Sequence, residues 1–359
     1  MNEDTPVDPS RHPDAALRHE PGVIQRARRF LRTSFPDVPP HVVVGYSGGK
    51  DSLALLLVLR ELHRLGGCRV TAVHVDHQLR PDSGEAAARS MQVAQDLGVD
   101  VVLKTAQGSL RRALPGQSVE DIARRFRYQM LTRVLEDVGG DAIAVAHHQR
   151  DQAETVLLHL VRGSGLSGLR GMLPDSLLAV TWMQKPGFGP ATVVRVIRPF
   201  LQEAPEALAD IVRESGVPVI EDPSNDDAAF RRNRVRHELL PLLEDISPGA
   251  MSRLVSLSDI VHEDDVALND VTDRLLERAV ERDALVWETF RGAPRGLQRR
   301  VIRRWIGDRR GLHDLSLDRI DAVIAVAERG GGGKSVEVGG GWLVTFVGGV
   351  LRIVAPSPS

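Results

Sequence analysis

The hydrophobic pattern changes character along the chain. Between His41 and about Leu160, apolar runs of strand length alternate with segments whose apolar positions recur at helical spacing. The runs HVVVGY, CRVTAVHVDH, VDVVLKTA and DAIAVAHH predict strands. The segments DSLALLLVLRELHRLG, GEAAARSMQVAQDLG, SVEDIARRFRYQMLTRVLEDVGG and DQAETVLLHLVRG predict helices. Strands this rich in Val, Ala and Ile show no polar face. The expected fold is therefore α/β, a parallel sheet covered by helices on both faces. In such sheets ligands bind at the carboxyl ends of the strands, near the point where strand order reverses.

Beyond this alternation the glycine-rich GSGLSGLRGMLPD (163–175) reads as a mobile loop. TVVRVIRPF adds a strand, EAPEALADIVRESG a helix and EDPSNDD a turn-rich stretch. From about Arg231 the pattern is helical, through HELLPLLEDI and MSRLVSLSDIVHEDDVALNDVTDRLLERAV. The chain ends in a small β-hairpin pair, KSVEVGGGWLVTFVGGVLRIV, behind the connector RGGGGK. The expected organisation is a disordered tail over 1–20, an α/β domain over 21–235, and a helical and small α+β domain over 236–359.

Composition narrows the class. With 42% hydrophobic and 26% charged residues the chain has the make-up of a soluble globular protein. The single cysteine, Cys68, excludes a disulfide framework, a four-cysteine zinc site and a CxxC redox pair, and points to a reducing compartment. The first residues are acidic and lack an apolar core, so neither a signal peptide nor a membrane anchor is expected there. No apolar run approaches the ~18 residues of a membrane helix. A cytoplasmic location is expected. The net charge is only −2, yet FRRNRVRH (230–237) and RGAPRGLQRRVIRRWIGDRR (291–310) are dense in arginine. Such local basicity fits either a nucleic-acid footprint or a solvated helix face. Trp305 within the second run fits the buried side of an amphipathic helix.

The chemistry concentrates in YSGGKDS (46–52), between a strand and a helix. It fails the Walker A pattern at Val44 and Asp51. Gly48 and Gly49 let backbone approach an anion closely, the first helical turn offers free N–H groups, and Ser47 and Ser52 offer hydroxyls. Asp51 would repel a phosphate unless a divalent cation lies between them, as Mg²⁺ does when it bridges a carboxylate and phosphate oxygens. Alternatively, Asp51 caps the helix. Asp151 and Glu154, at i and i+3, share a helical face; they also fit a capping box with Asp151 as N-cap. Arg124 and Arg127 share a face in the same way. His74 and His77, like His147 and His148, point to opposite sides of their strands, so neither pair chelates simply.

The sequence SGGxDS after a first strand resembles the PP-loop ATPases, the N-type ATP pyrophosphatases. That resemblance implies a Rossmann-like fold and cleavage of ATP between its α and β phosphates. HVDHQLR, ARRFRY, AHHQRDQAET, RGSGLSGLRGM, EDPSN and RRNRVR follow in order, and together they resemble the tRNA(Ile)-lysidine synthetase family over residues 40–245.

The resemblance implies ligation of L-lysine to C2 of the wobble cytidine of a tRNA(Ile) with a CAU anticodon. The reaction passes through an adenylated cytidine and uses ATP with Mg²⁺. It implies catalytic roles for Asp51, Asp151 and Glu154, and ATP contacts from Ser47, Gly48, Gly49, Lys50, Asp51, Ser52 and His74. Asp51 would hold the metal, and Asp151 with Glu154 the lysine. Arg124, Arg127, Arg231, Arg232, Asn233, Arg234 and Arg236 would contact tRNA. A homodimer is left open. The chain departs from the family at Arg150, where an acidic or amide residue is usual; an arginine there either removes a contribution to the site or supplies a cation to a phosphate. The alternatives are a thiolase-type PP-loop enzyme, opposed by the lone cysteine, a GMP or NAD synthetase, opposed by the lack of a glutaminase nucleophile, and a catalytically impaired nucleotide- or RNA-binding homologue.

Overall fold

A computed structural model describes residues 21–106, 119–181, 191–220, 231–312, 314–330 and 333–356. The expected tail 1–20, the EDPSNDD stretch and Gly331–Gly332 of the connector lie outside the described residues. The chain divides into two compact units, 1–258 and 259–359.

In the first unit β1 (His41–Gly45), β2 (Arg69–Asp76) and β3 (Asp100–Thr105) are joined by the helices α2 (Lys50–Arg64) and α3 (Ser83–Asp96), behind an N-terminal α1 (Pro21–Ser34). Next come α4 (Val119–Asp137), β4 (Ala142–Ala144), α5 (Gln149–Val161) and a short α6 (Leu166–Leu169). The strands β5 (Asp175–Val180) and β6 (Thr192–Ile197) and the helix α7 (Pro205–Ser215) follow. The sheet order is β3-β2-β1-β4-β6-β5. Five strands are parallel, and β5 pairs antiparallel with β6 at the edge. That edge strand corrects the all-parallel expectation. Its sequence, DSLLAV, borders the glycine-rich loop and gave no strand signal of its own.

Alternation along β1 explains the two covered faces. Val42 and Val44 join the core formed with α1, α2 and α7, whereas Val43 faces the core under α4. The helix α2 is buried from Ser52 to Leu59 without interruption, as a helix enclosed on all sides must be. Each fully buried Leu there stabilises the fold by about 1.5–3 kcal/mol relative to exposure. The helix α1 contributes the stripe Val23, Ala27 and Leu31, and Arg26 reaches the buried Glu203 through two bonds of 2.6 Å.

The segment from Arg231 stays with this unit. The turn α8 (Arg231–Arg234), a π-helical turn at Val235–Leu239 and α9 (Leu240–Ile246) place Val235 and Leu240 against Ala153 and Leu157 of α5. The long α10 (Ala250–Ala279) follows. The Gln152 amide ties Met172 of the glycine-rich loop to Ser258. Gln152 accepts from the Met172 N–H (2.8 Å) and donates to the Met172 carbonyl (3.0 Å) and to Ser258 (3.0 Å).

The second unit holds an antiparallel sheet of β7 (Val280–Glu281), β8 (Ala284–Val286), β9 (Lys334–Glu337), β10 (Leu343–Val347) and β11 (Val350–Val354), in the order β7-β8-β11-β10-β9. It is larger than the expected hairpin pair because β7 and β8 are too short to signal themselves. Its core takes Val344, Phe346 and Leu351 from the sheet, Trp305 from α11 (Arg295–Arg310) and Ile320 from α12 (Leu317–Arg329).

The arginine run on α11 is largely neutralised within this unit. Arg299 meets Asp321 through two bonds of 2.8 Å, Arg295 meets Glu328 at 2.9 Å, and Arg304 meets Asp273 at 3.0 Å. Arg300 meets Asp265 at 2.8 Å, and the Asp265 side chain is only 2% exposed. Burial decides what these pairs contribute. Arg304→Ala is expected to change stability by less than about 1 kcal/mol, because both partners are half exposed. Arg300→Ala, which takes the guanidinium from a buried carboxylate, is expected to cost clearly more, up to about 3 kcal/mol. Urea denaturation of the two variants measures the contrast.

Candidate active site

Strand order reverses between β1 and β4, because the chain builds outward through β2 and β3 before returning to pair β4 with β1. The segments leaving these two strands, 46–52 and 145–151, therefore meet at the carboxyl edge of the sheet. The structure brings the loop residues Ser47–Ser52 and the helical acids Asp151 and Glu154 to this edge.

The loop is pinned from within. Ser52 Oγ donates to the Gly49 carbonyl (2.9 Å), lies 3.0 Å from Ser47 Oγ and accepts the Ser47 N–H (3.2 Å). Gly48 takes φ +87°, and a Cβ there would lie 2.5 Å from Ser90 Oγ and 3.2 Å from Ile220 Cβ. Only glycine fits. Gly49 has ordinary extended geometry and caps α2 without a side-chain bond. Asp51 makes no cap bond either, which excludes the helix-capping alternative for it.

The capping role on α5 falls one turn earlier than the sequence suggests. His148 is the N-cap: its Nδ1 accepts from the Arg150 N–H (3.2 Å), and the His148 N–H donates to Asp151 Oδ2 (3.0 Å). Asp151 is thus the third helical residue rather than the cap, and Glu154 takes no part in capping. On the other side of the ring, His148 Nε2 lies 3.5 Å from Asp51 Oδ2. A buried imidazole joins the two segments.

Glu154 is fully buried and bound on both oxygens. Arg236 Nε donates to Oε1 (2.6 Å) and Arg232 Nε to Oε2 (2.7 Å). The Nη2 atoms of both arginines lie 3.3 Å from Asp151 Oδ1. Burial pushes the Asp151 carboxyl upward, but His148, His147 and Arg232 outweigh it and hold the group below the usual carboxylate range. Burial pushes His147 down to about 3, so its ring is neutral at physiological pH.

Several polar atoms along this edge are buried without a hydrogen-bond partner: Tyr46 Oη, Asp51 Oδ1, His74 Nδ1 and His147 Nδ1. The His74 ring meets Tyr46 edge-on at 6.5 Å, and burial lowers its pKa against a hydrogen bond that the ring donates to the Tyr46 backbone. The orphaned Asp51 oxygen, beside a loop of free N–H groups, fits a hard divalent cation shared with phosphate. Arg150 meets Glu206 of α7 at 3.3 Å.

The remaining expected residues are dispersed. Arg124 and Arg127 are exposed on α4, with Arg124 lying over the Tyr128 ring at 5.1 Å. Arg231 is exposed, Arg234 pairs with Glu238 at 3.0 Å, and Asn233 is half-buried. Tyr46, His148 and Ser90 were missed by the sequence reading. Only His148 carried a signal, because a polar residue three before an acid can open a capping box.

Residues 22–243 match the family of the PP-loop domain, and 285–351 match the TilS substrate binding domain. A tRNA(Ile)-lysidine synthase from Gloeobacter violaceus is 33% identical over 282 residues, covering 78% of this chain and 81% of that protein. The chain belongs to the tRNA(Ile)-lysidine synthase family. The family's members from Geobacter sulfurreducens and Deinococcus deserti are 36% and 33% identical and cover 79% and 89% of this chain. The chain spans only 58% and 54% of their respective lengths. Among solved structures, a U34-tRNA thiolase from Methanococcus maripaludis shares the fold at a TM-score of 0.51 and 16% identity, over 67% of this chain and 80% of that one. Among the described residues no helix is long and apolar enough to cross a membrane.

The close approach at Gly48 gives a direct test. Gly48→Ala is expected to lower stability by about 1–3 kcal/mol through backbone strain. It is also expected to weaken magnesium-ATP binding by about tenfold or more, whereas Gly49→Ala does neither. Calorimetric titration and thermal melting of the two variants measure this.

Proposed function

We propose that this chain joins L-lysine to C2 of the wobble cytidine of a tRNA(Ile) bearing a CAU anticodon, with ATP cleaved to AMP and pyrophosphate. The observation that carries the reading is the junction at His148. It sets a glycine-bounded anion loop, with one unpartnered carboxylate oxygen on Asp51, beside the paired acids of α5. Membership of the family supports the same reading.

In this account the N–H groups opening α2 and the hydroxyls of Ser47 and Ser52 receive the departing pyrophosphate. Lys50 stands exposed at the same turn and adds a cation. Magnesium held by Asp51 would neutralise the phosphate charge that the loop alone leaves uncompensated. His74, neutral and buried at the end of β2, lines the nucleotide side together with Tyr46. The cytosine 2-oxygen attacks the α-phosphorus, and the Pα–O bond to pyrophosphate breaks. The ε-ammonium passes one proton to Asp151, the freed ε-nitrogen bonds to C2, the C2–O bond to AMP breaks, and the nitrogen's next proton passes to solvent. Before that transfer Asp151 and Glu154 seat the amine as ammonium. Arg124, Arg127, Arg231, Asn233 and Arg234 contact tRNA phosphates, arginine suiting them by its fork of donors. The match to a substrate binding domain supports a tRNA-binding role for the C-terminal part.

A labelled-lysine assay tests the proposal. Purified protein, ATP, magnesium and a CAU-anticodon transcript should yield lysine covalently attached to the RNA. Asp51→Ala should cut the rate by about 10²-fold or more. Normal ATP binding with no lysine transfer would refute the proposed activity.

A further inference from the structure

The residues expected to seat lysine and two of those expected to hold tRNA are, in this structure, bound to one another. All four oxygens of Asp151 and Glu154 are in use. Glu154 Oε1 takes Arg236 Nε at 2.6 Å, and Oε2 takes Arg232 Nε at 2.7 Å and Arg236 Nη2 at 3.2 Å. Asp151 Oδ1 takes both guanidinium groups at 3.3 Å, and Oδ2 takes the His148 N–H at 3.0 Å. Glu154 is enclosed, so an ammonium group reaches its oxygens only where an arginine gives way. The Glu154 side chain is 0% exposed, and the two arginine side chains are 29% and 30% exposed. The arginines therefore reach solvent and the glutamate does not.

We infer that Arg232 and Arg236 form an ion-exchange gate: RNA phosphate draws the two guanidinium groups away from Asp151 and Glu154, and the ε-ammonium of lysine takes their place. The inference rests on the lysine-ligating reading above and adds an order to it. A buried carboxylate stripped of its cations is strongly disfavoured, so the arginine pair opens only as another cation enters. A guanidinium leaving a carboxylate in turn needs a new anion, and a phosphate accepts the same two-pronged fork. In the exchange the four arginine–carboxylate contacts give way to arginine–phosphate contacts and to one ammonium group shared by Asp151 and Glu154. The local backbone suits the movement. Arg232 and Arg236 stand at i and i+4 on one face, with a π-helical turn beginning at Val235 between them. That turn holds one residue more than an α-turn, and each residue of α-helical register rotates a side chain by about 100°. Rewinding it would swing Arg236 relative to Arg232 while Val235 and Leu240 keep their seat on α5.

The gate makes lysine and tRNA binding mutually supportive, and linkage requires the effect to be equal in both directions. Equilibrium dialysis of labelled L-lysine against the full chain, without ATP so that no chemistry proceeds, reads it directly. The dissociation constant should tighten by about fivefold or more when a CAU-anticodon transcript is added. Filter binding of the transcript should tighten by the same factor at saturating lysine and be unmoved by norleucine, which lacks the ammonium group. In the Arg232→Gln/Arg236→Gln variant, lysine should bind more tightly without RNA, and the gain from RNA should vanish. Lysine affinity that is equal with and without RNA in the unaltered protein would overturn the gate and leave the ligase reading standing. No lysine binding under either condition would overturn the seat itself, and the gate with it. A folded variant that loses lysine in both conditions would also overturn the gate, by making the arginines lysine ligands. Should the variant fail to fold, the reciprocal RNA measurement on the unaltered protein decides.

Discussion

A carboxylate with no access to water, Glu154, sets the terms for the rest of the site. Its charge is tolerable only because two guanidinium groups lie against it at 2.6 and 2.7 Å. Those groups belong to α8 and the π-helical turn, so the requirement ties a segment almost eighty residues downstream onto α5. Apolar contact between Val235, Leu240, Ala153 and Leu157 reinforces the same junction. With α5 fixed in place, its N-cap His148 is aimed back at Asp51, and the acid of the glycine loop is held within reach of the acids of the helix. Removing either arginine would leave a buried charge short of a partner. The cluster is therefore a structural bond and a chemical constraint at once.

The sheet supplies the complementary constraint. Because β4 returns to pair with β1, two segments distant in sequence leave the sheet side by side, and anything bound there touches both. The glycine loop with Asp51 comes from one segment and the paired acids Asp151 and Glu154 from the other. A reaction that joins a phosphate-activated base to an amine needs that adjacency. The fold is shared with proteins of different chemistry, so function resides in what the second segment presents. Here it presents paired acids and their arginines.

The parallel sheet, both covered faces and the position of the anion loop were legible in the sequence, because long apolar runs and helical periodicity are strong local signals. Where the structure departs from the reading, the cause is non-local. The edge strand β5 forms because β6 offers it a partner, and nothing in DSLLAV announces that. Asp151 looked like a cap because spacing alone cannot tell it from His148 three residues earlier; the hydrogen bonds decide. The arginines of RRNRVR read as a basic patch, yet two of them turn inward to acids about eighty positions away. Most of those on α11 find acids within their own unit for the same reason. Charge counted along a sequence does not reveal which charges pair. Arg150 likewise meets an acid distant in sequence, Glu206 of α7.

The central claim is that the loop around Asp51 receives a pyrophosphate and not a single phosphate. Following the fate of ATP labelled at its γ-phosphorus, in the presence of the CAU-anticodon transcript and magnesium, tests this most directly. The account predicts label in pyrophosphate, formed in step with RNA-bound AMP and dependent on the transcript. Label appearing as free inorganic phosphate, or pyrophosphate formed at the same rate without RNA, would contradict it.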